Sequence, residues 1–359
     1  MRKEVLSNKQ AISIIAISLC GSFSIFTTGV DAKRDIWIAI LLASFLVIPM
    51  MIVFARIQYL YPNKDLLDII QICFGKWIGK GIIVILIWYT YFWASDVLFN
   101  LGTFIEVVSL SETPRIVLVI FLSILCCWGV KEGIEVLGRW SELFLIVNIC
   151  MTIIIIFLLI PEFKINNILP ILNEKNNFLL KGVLSVADLY LQIAVFMIAF
   201  SNFKEKKSSY KVYFTGLGIL TLFTLGISLV NILVIGINEI TTNYYPTYTT
   251  MTRIDIGNVL QRLEVIIGAI FVLGIFVKVS ILILCTSKGI MKVFELTDYR
   301  FLATPVVLLI INLSYFQYDS AIHYFEFNIE IWPYYFFPIQ VILPVIVLIV
   351  AEIKNKLSL

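Results

Sequence analysis

The chain has 359 residues, of which 60% are hydrophobic and 14% charged, with 27 Lys and Arg against 24 Asp and Glu. A soluble globular domain carries about 25% charged residues. A folded surface needs more polar cover than this composition supplies, so a water-soluble fold is excluded and lipid must be the solvent for most of the chain.

Apolar runs of roughly 20 residues cross a hydrocarbon core of about 30 Å at 1.5 Å per residue. Such runs predict ten spans: 10–30, 36–57, 81–105, 114–130, 141–160, 182–203, 212–237, 262–287, 302–317 and 333–352. All ten are expected to be helices, because a segment in lipid must satisfy its own backbone hydrogen bonds. The period-2 alternation of a membrane barrel is absent. The fold class is therefore all-α integral membrane, a single polytopic domain over 1–359. The first run follows a basic N-terminus as a secretory signal would. It is too long for a signal, lacks a small-residue cleavage site and leads straight into span 2, so it reads as a transmembrane helix. The ninth run is the weakest, diluted by Asn312, Ser314 and Gln317.

Alternating loops divide 18 of the 27 basic residues onto one side and 8 onto the other, leaving Lys278 inside a span. The richer side includes Arg2, Lys3, Lys204, Lys206 and Lys207, the poorer side Lys175 and Arg262. This bias predicts that both termini are cytoplasmic and that the number of crossings is even. The cysteines (Cys20, Cys73, Cys126, Cys127, Cys150 and Cys285) avoid the outer loops, so no disulfide framework is expected. The single histidine, His323, leaves Cys126-Cys127 without a metal-binding partner, and no metal or cofactor is expected.

The loops are organised too. In 62–80, Leu66, Leu67, Ile69, Ile70, Cys73, Phe74 and Trp77 recur at helical spacing. This predicts an amphipathic helix on the cytoplasmic membrane surface, with Asn63 as cap and Gly75 as stop. Residues 131–140 read as a shorter version. The outer loop 238–261, with Tyr244, Tyr245, Pro246, Arg253 and Asp255, is expected to form an ordered cap.

Ten crossings split into two five-helix halves, about 10–160 and 182–352, which must have opposite topology. Inverted five-helix repeats build many secondary transporters, with ligand at mid-membrane beside broken first and sixth helices. In span 1, Cys20, Gly21, Ser22 and Ser24 would let the helix unwind and offer backbone N–H groups to a carboxylate; small residues equally permit close helix packing. Span 6 carries Ser185, Asp188 and Gln192 but no Gly or Pro to mark a break. An ionisable residue inside a span points to function. Lys278 is too deep to reach water, and could replace a cation, pair with an acid or bind a ligand carboxylate. Asp96 is comparably deep, with Tyr91, Trp93 and Asn100 near it in sequence. No His, Cys or carboxylate constellation has catalytic spacing, so an enzyme is not expected.

Loop motifs occur in order along nearly the whole chain: Trp37; Tyr61-Pro62-Asn63-Lys64; Phe74-Gly75-Lys76-Trp77-Ile78-Gly79-Lys80; Thr113-Pro114; and Gly133-Ile134-Glu135-Val136-Leu137-Gly138-Arg139. They continue through Leu169-Pro170, Tyr245-Pro246, Arg262-Leu263-Glu264, Phe276-Val277-Lys278 and Asp298-Tyr299-Arg300. On these the chain resembles the B subunit of spore germinant receptors, the endospore germination permease family of the amino acid–polyamine–organocation superfamily. The resemblance implies a LeuT-like fold in the spore inner membrane, with a larger membrane subunit (A) and a lipoprotein subunit (C) as partners. It implies a permease-like receptor that binds a nutrient, often an L-amino acid, and triggers germination. An autonomous, proton-coupled amino-acid transporter is the alternative, with Lys278 and Asp96 as coupling residues. Nucleic acid is not an expected partner. By carry-over the pocket would involve span 1 near Gly21, with spans 3, 6 and 8 around it; the candidate ligand-binding residues are Cys20, Gly21, Ser22, Ser24, Tyr91, Asp96, Gln192 and Lys278. The family's glycine-rich stretch ending in proline is here Gly21-Ser22-Phe23-Ser24-Ile25-Phe26, without a second glycine or the proline.

Overall fold

A computed structural model describes residues 5–108, 112–172, 176–201, 203, 208–254 and 264–357. The basic residues Arg2, Lys3, Lys175, Lys204, Lys206, Lys207 and Arg262, together with Asp255 and the rest of 255–261, lie outside them. The described residues are helical, with one isolated bridge between Leu6 and Phe203. The helices are α1 (Asn8–Phe23), α2 (Ile36–Leu60), α3 (Leu66–Val108), α4 (Arg115–Glu132), α5 (Ile134–Leu159), α6 (Asn176–Leu191) and α7 (Phe196–Ala199). The second half holds α8 (Ser208–Thr242), α9 (Pro246–Met251), α10 (Glu264–Val293), α11 (Ala303–Phe316), α12 (Ala321–Glu330), α13 (Trp332–Phe337) and α14 (Leu343–Leu357).

Among the described residues, seven helical stretches are long and apolar enough to cross a membrane: Val30–Leu60, Leu66–Val108, Ile134–Glu162, Asn177–Ala199, Ser208–Thr242, Val265–Val293 and Ala321–Lys356. The remaining predicted spans correspond to α1, α4 and α11, which have 16, 18 and 14 residues. Contacts between the halves pair up as an inverted repeat requires. α1 packs on α8 as α6 packs on α2, and α3 packs on α11 as α10 packs on α4.

Two predicted local features take a different form, and a third holds. The helix expected over 62–80 starts at Leu66, and its cap is Asp65, whose Oδ1 accepts the Asp68 N–H at 2.9 Å; Asn63 instead has a left-handed φ of 65°. The predicted stop holds at Gly75 (φ 80°): the helix from Leu66 ends there and a second one, counted with it in α3, runs on to Val108, because glycine alone adopts that conformation without strain. There is no separate helix over 131–140: Gly133 ends α4, and Ile134 opens α5.

Spans 1, 6 and 10 are interrupted. α1 begins with a capping box between Ser7 and Gln10 and stops at Phe23; 24–29 are irregular and Val30–Asp35 form a 3₁₀ turn. Polar groups of α8 and α9 hold the irregular stretch: Asn231 Nδ2 donates to Thr27 and Thr247 Oγ1 at 2.8 Å each, and the Thr247 N–H reaches the Ile25 carbonyl. A broken helix in lipid requires such replacements for its lost ladder. Span 6 breaks despite having no Gly or Pro there, through a 3₁₀ turn at Gln192–Val195 between α6 and α7. The last span is α12, α13, a π-turn at Pro338–Ile342, then α14.

Candidate functional site

The breaks in spans 1 and 6 and the middle of α3 and α10 converge on Lys278. This residue sits halfway along α10, about 21 Å from the nearer end at 1.5 Å per residue, beyond the reach of its own stem. Only 5% of it is exposed. Its Nζ donates to Gln192 Oε1 at 3.3 Å and lies 4.8 Å from the centre of the Trp93 ring and 5.4 Å from that of Phe23. Cation–π contact and a neutral amide thus replace water around the ammonium. Among the described residues no carboxylate comes within ion-pairing distance of it.

Asp96 is buried in the same region, but its hydrogen bonds come from elsewhere. Its Oδ1 accepts from the Tyr318 hydroxyl at 2.7 Å and from Asn328 Nδ2 at 3.2 Å. Tyr318 in turn accepts from Gln317 Nε2, and Gln317 Oε1 accepts from Ser95. Asp96 therefore ties α3 to the α11–α12 connection and does not form a salt bridge with Lys278.

The other candidates separate. Gly21 is not the point of unwinding: it lies inside α1 with its Cα against α10, so that a Cβ there would stand 2.3 Å from the Gly274 Cα. Its role is the close approach of two helices. Ser22 donates to the Ser18 carbonyl and Ser24 to the Gly21 carbonyl, each at 2.7 Å, which stabilises the end of α1 rather than presenting hydroxyls inward. Cys20 is buried beside them. Tyr91 faces outward from the cluster, its hydroxyl donating to the Leu309 carbonyl of α11 at 3.1 Å.

Residues not selected from sequence complete the centre. Tyr89 and Trp93 lie one turn apart on α3 with ring centres 5.5 Å apart, and Trp332 and Phe336 of α13 pack on them. Gln340 Nε2 donates to the Tyr89 hydroxyl at 3.2 Å. A lone amide in an apolar run bracketed by Pro338 and Pro344 was the sequence signal for Gln340. Packing continues on either side of the centre. On one side Phe104 meets Tyr245 and Phe271 edge-on, each at 5.0 Å; on the other, Lys288 Nζ caps the last carbonyl of α7 at Ala199, 2.9 Å away, and Lys292 pairs with Asp68.

This arrangement agrees with the comparisons. Among solved structures the fold matches Mhp1, a nucleobase-cation-symport-1 family transporter in a closed conformation with bromovinylhydantoin bound. The TM-score is 0.66 at 9% identity, covering 90% of this chain and 74% of that one. It also matches MhsT in complex with L-phenylalanine, with TM-score 0.61, 10% identity, and 96% and 98% of the two chains covered. The fold is thus LeuT-like. Among curated proteins the chain is 26% identical to spore germination protein KB of Bacillus subtilis (strain 168), over 99% of this chain and 97% of the relative. It is 24% identical to spore germination protein A2 of the same organism, over 98% and 97%. Residues 5–322 match the family model described as spore germination protein, and the chain, a multi-pass membrane protein of permease type, belongs to that spore germination permease family.

Proposed function

We propose that the chain is the permease-like subunit of a spore nutrient receptor, binding a small nutrient at mid-membrane and triggering germination. Lys278 carries the reading: a buried ammonium beside a broken helix, with a neutral amide and two aromatic faces as its neighbours. Burying an unpaired charge is costly, and a ligand carboxylate would offset that cost. An L-amino acid suits such a centre, and MhsT holding L-phenylalanine on the same fold supports the choice. Lys278, Gln192, Trp93 and Phe23 would contact the ligand. Gly21, with Cys20, Ser22 and Ser24, shapes the wall behind it; Asp96 and Tyr91 fix α3. The working assembly joins this chain to the A and C subunits in the spore inner membrane, with both termini cytoplasmic.

Calorimetry on the purified chain in lipid nanodiscs, with the twenty L-amino acids added singly, tests the pocket. Lys278→Met should weaken the strongest binder by about 30-fold or more, the usual cost of truncating one partner of a buried charge pair. Unchanged affinity in this variant removes Lys278 from the site. Spores lacking only this chain should lose their response to that same nutrient. The LeuT-like fold favours a second reading, an autonomous proton-coupled transporter using Asp96 and Lys278. Sustained uptake of labelled amino acid by the chain alone in proteoliposomes would establish it over a pure receptor.

A further inference from the structure

The last span leaves the regular helix in a way that the Lys278 cluster does not explain. Pro333 and Pro338 each remove an N–H that a helix interior would donate, and Pro338–Ile342 relax into a π-turn. Single π-turns inside helices recur at functional sites, because the extra residue turns a side chain off the regular face. In this turn the buried residue is Gln340, with no exposed surface.

The two ends of the Gln340 amide differ. Nε2 is committed to the Tyr89 hydroxyl, whereas Oε1 has no partner. A buried acceptor of this kind is an exception among native side chains and calls for a reason. The Tyr89 hydroxyl both donates and accepts, so rotating the amide would leave one end over in either orientation. The π-turn packs against the 3₁₀ turn Gln192–Val195, whose first residue holds Lys278. Gln340 and Lys278 therefore meet the break in span 6 from two different spans, one as a neutral acceptor and the other as a cation. The Oδ1 of Asp96 is engaged by Tyr318 and Asn328, on the side of α3 that faces the α11–α12 connection.

We propose that Gln340 reads the nitrogen end of the ligand, its Oε1 accepting an N–H from an ammonium group while Lys278 holds the carboxylate. This deepens the amino-acid reading above and rests on it. A zwitterion uses both groups; a simple carboxylic acid uses Lys278 alone.

The test compares the strongest-binding L-amino acid with its des-amino carboxylic acid, by calorimetry on the full chain in nanodiscs. The wild-type chain should prefer the amino acid by roughly 10- to 100-fold, the range expected for one hydrogen bond to a charged group. Gln340→Met keeps the length of the side chain and removes both polar ends. It should bring the two ligands within about threefold of each other, with affinity for the des-amino acid unchanged, which also shows that the variant is folded. Gln340→Glu should retain or enlarge the preference. A wild-type preference persisting in Gln340→Met overturns the assignment. So does equal loss of both ligands in Gln340→Met and Gln340→Glu, which would mark a structural role. A wild-type chain that binds none of the twenty amino acids overturns the amino-acid reading itself, and this assignment with it.

Discussion

Glu295 lies just beyond α10 with a left-handed φ of 57°, and Lys76 and Lys80 both place Nζ 2.7 Å from its Oε1. The two ammonium groups hold its carboxyl down at about 2, against an ordinary value of 4.5. A depressed carboxylate contributes stability that is complete above the unfolded value and lost as pH falls through the folded one. Melting temperature should therefore drop between about pH 4.5 and pH 2 in the wild-type chain, and Glu295→Gln should flatten that limb. Because the group is exposed, high salt should reduce the difference. Single residues were legible in the sequence where chemistry clashes with solvent. Lys278 stands out because an ammonium in the middle of an apolar run needs a partner. Tyr91 was misread because sequence proximity to Asp96 is not shared direction. Tyr89, Trp93, Asp96 and Asn100 recur at helical spacing and are buried together, while Tyr91 lies two residues from that face and turns away.

Helices α1 and α10 cross at Gly21 and Gly274, where the backbones approach too closely for any side chain. Gly21→Ala should destabilise the folded chain by about 1–3 kcal/mol, the usual cost of overpacking, measured by thermal melts in detergent. Gly274→Ala should behave alike, and the double variant should lose less than the sum, because either methyl already forces the two helices apart at the same crossing. Small residues in span 1 were equally compatible with unwinding and with close packing. Only the facing Gly274 decides for packing, and it moves the break to the residues after Phe23. The breaks in spans 6 and 10 were less visible. At Gln192–Val195 no Gly or Pro marks the turn, and neighbouring spans supply the contacts that make it tolerable.

The whole molecule carries the topology expected of two inverted five-helix halves, with the Lys278 cluster at their shared interior. The charge bias of the loops predicts cytoplasmic termini, and thiol labelling checks the prediction. In a chain stripped of native cysteines, Asp319→Cys, whose side chain is 97% exposed, should react with an impermeant reagent added outside intact cells. Lys356→Cys should react only after permeabilisation; the opposite pattern inverts the orientation. The sequence by itself determined the solvent, the helical spans and the family, because transfer from water to lipid acts on each segment separately and loop motifs are local. The tertiary structure decided which buried groups meet. Lys278 faces Gln192 and not Asp96, Gly21 faces Gly274, and Gln340 enters the centre through a turn in the last span. Those outcomes depend on helix rotation and crossing, which are set by side chains on other spans and carry no local signature.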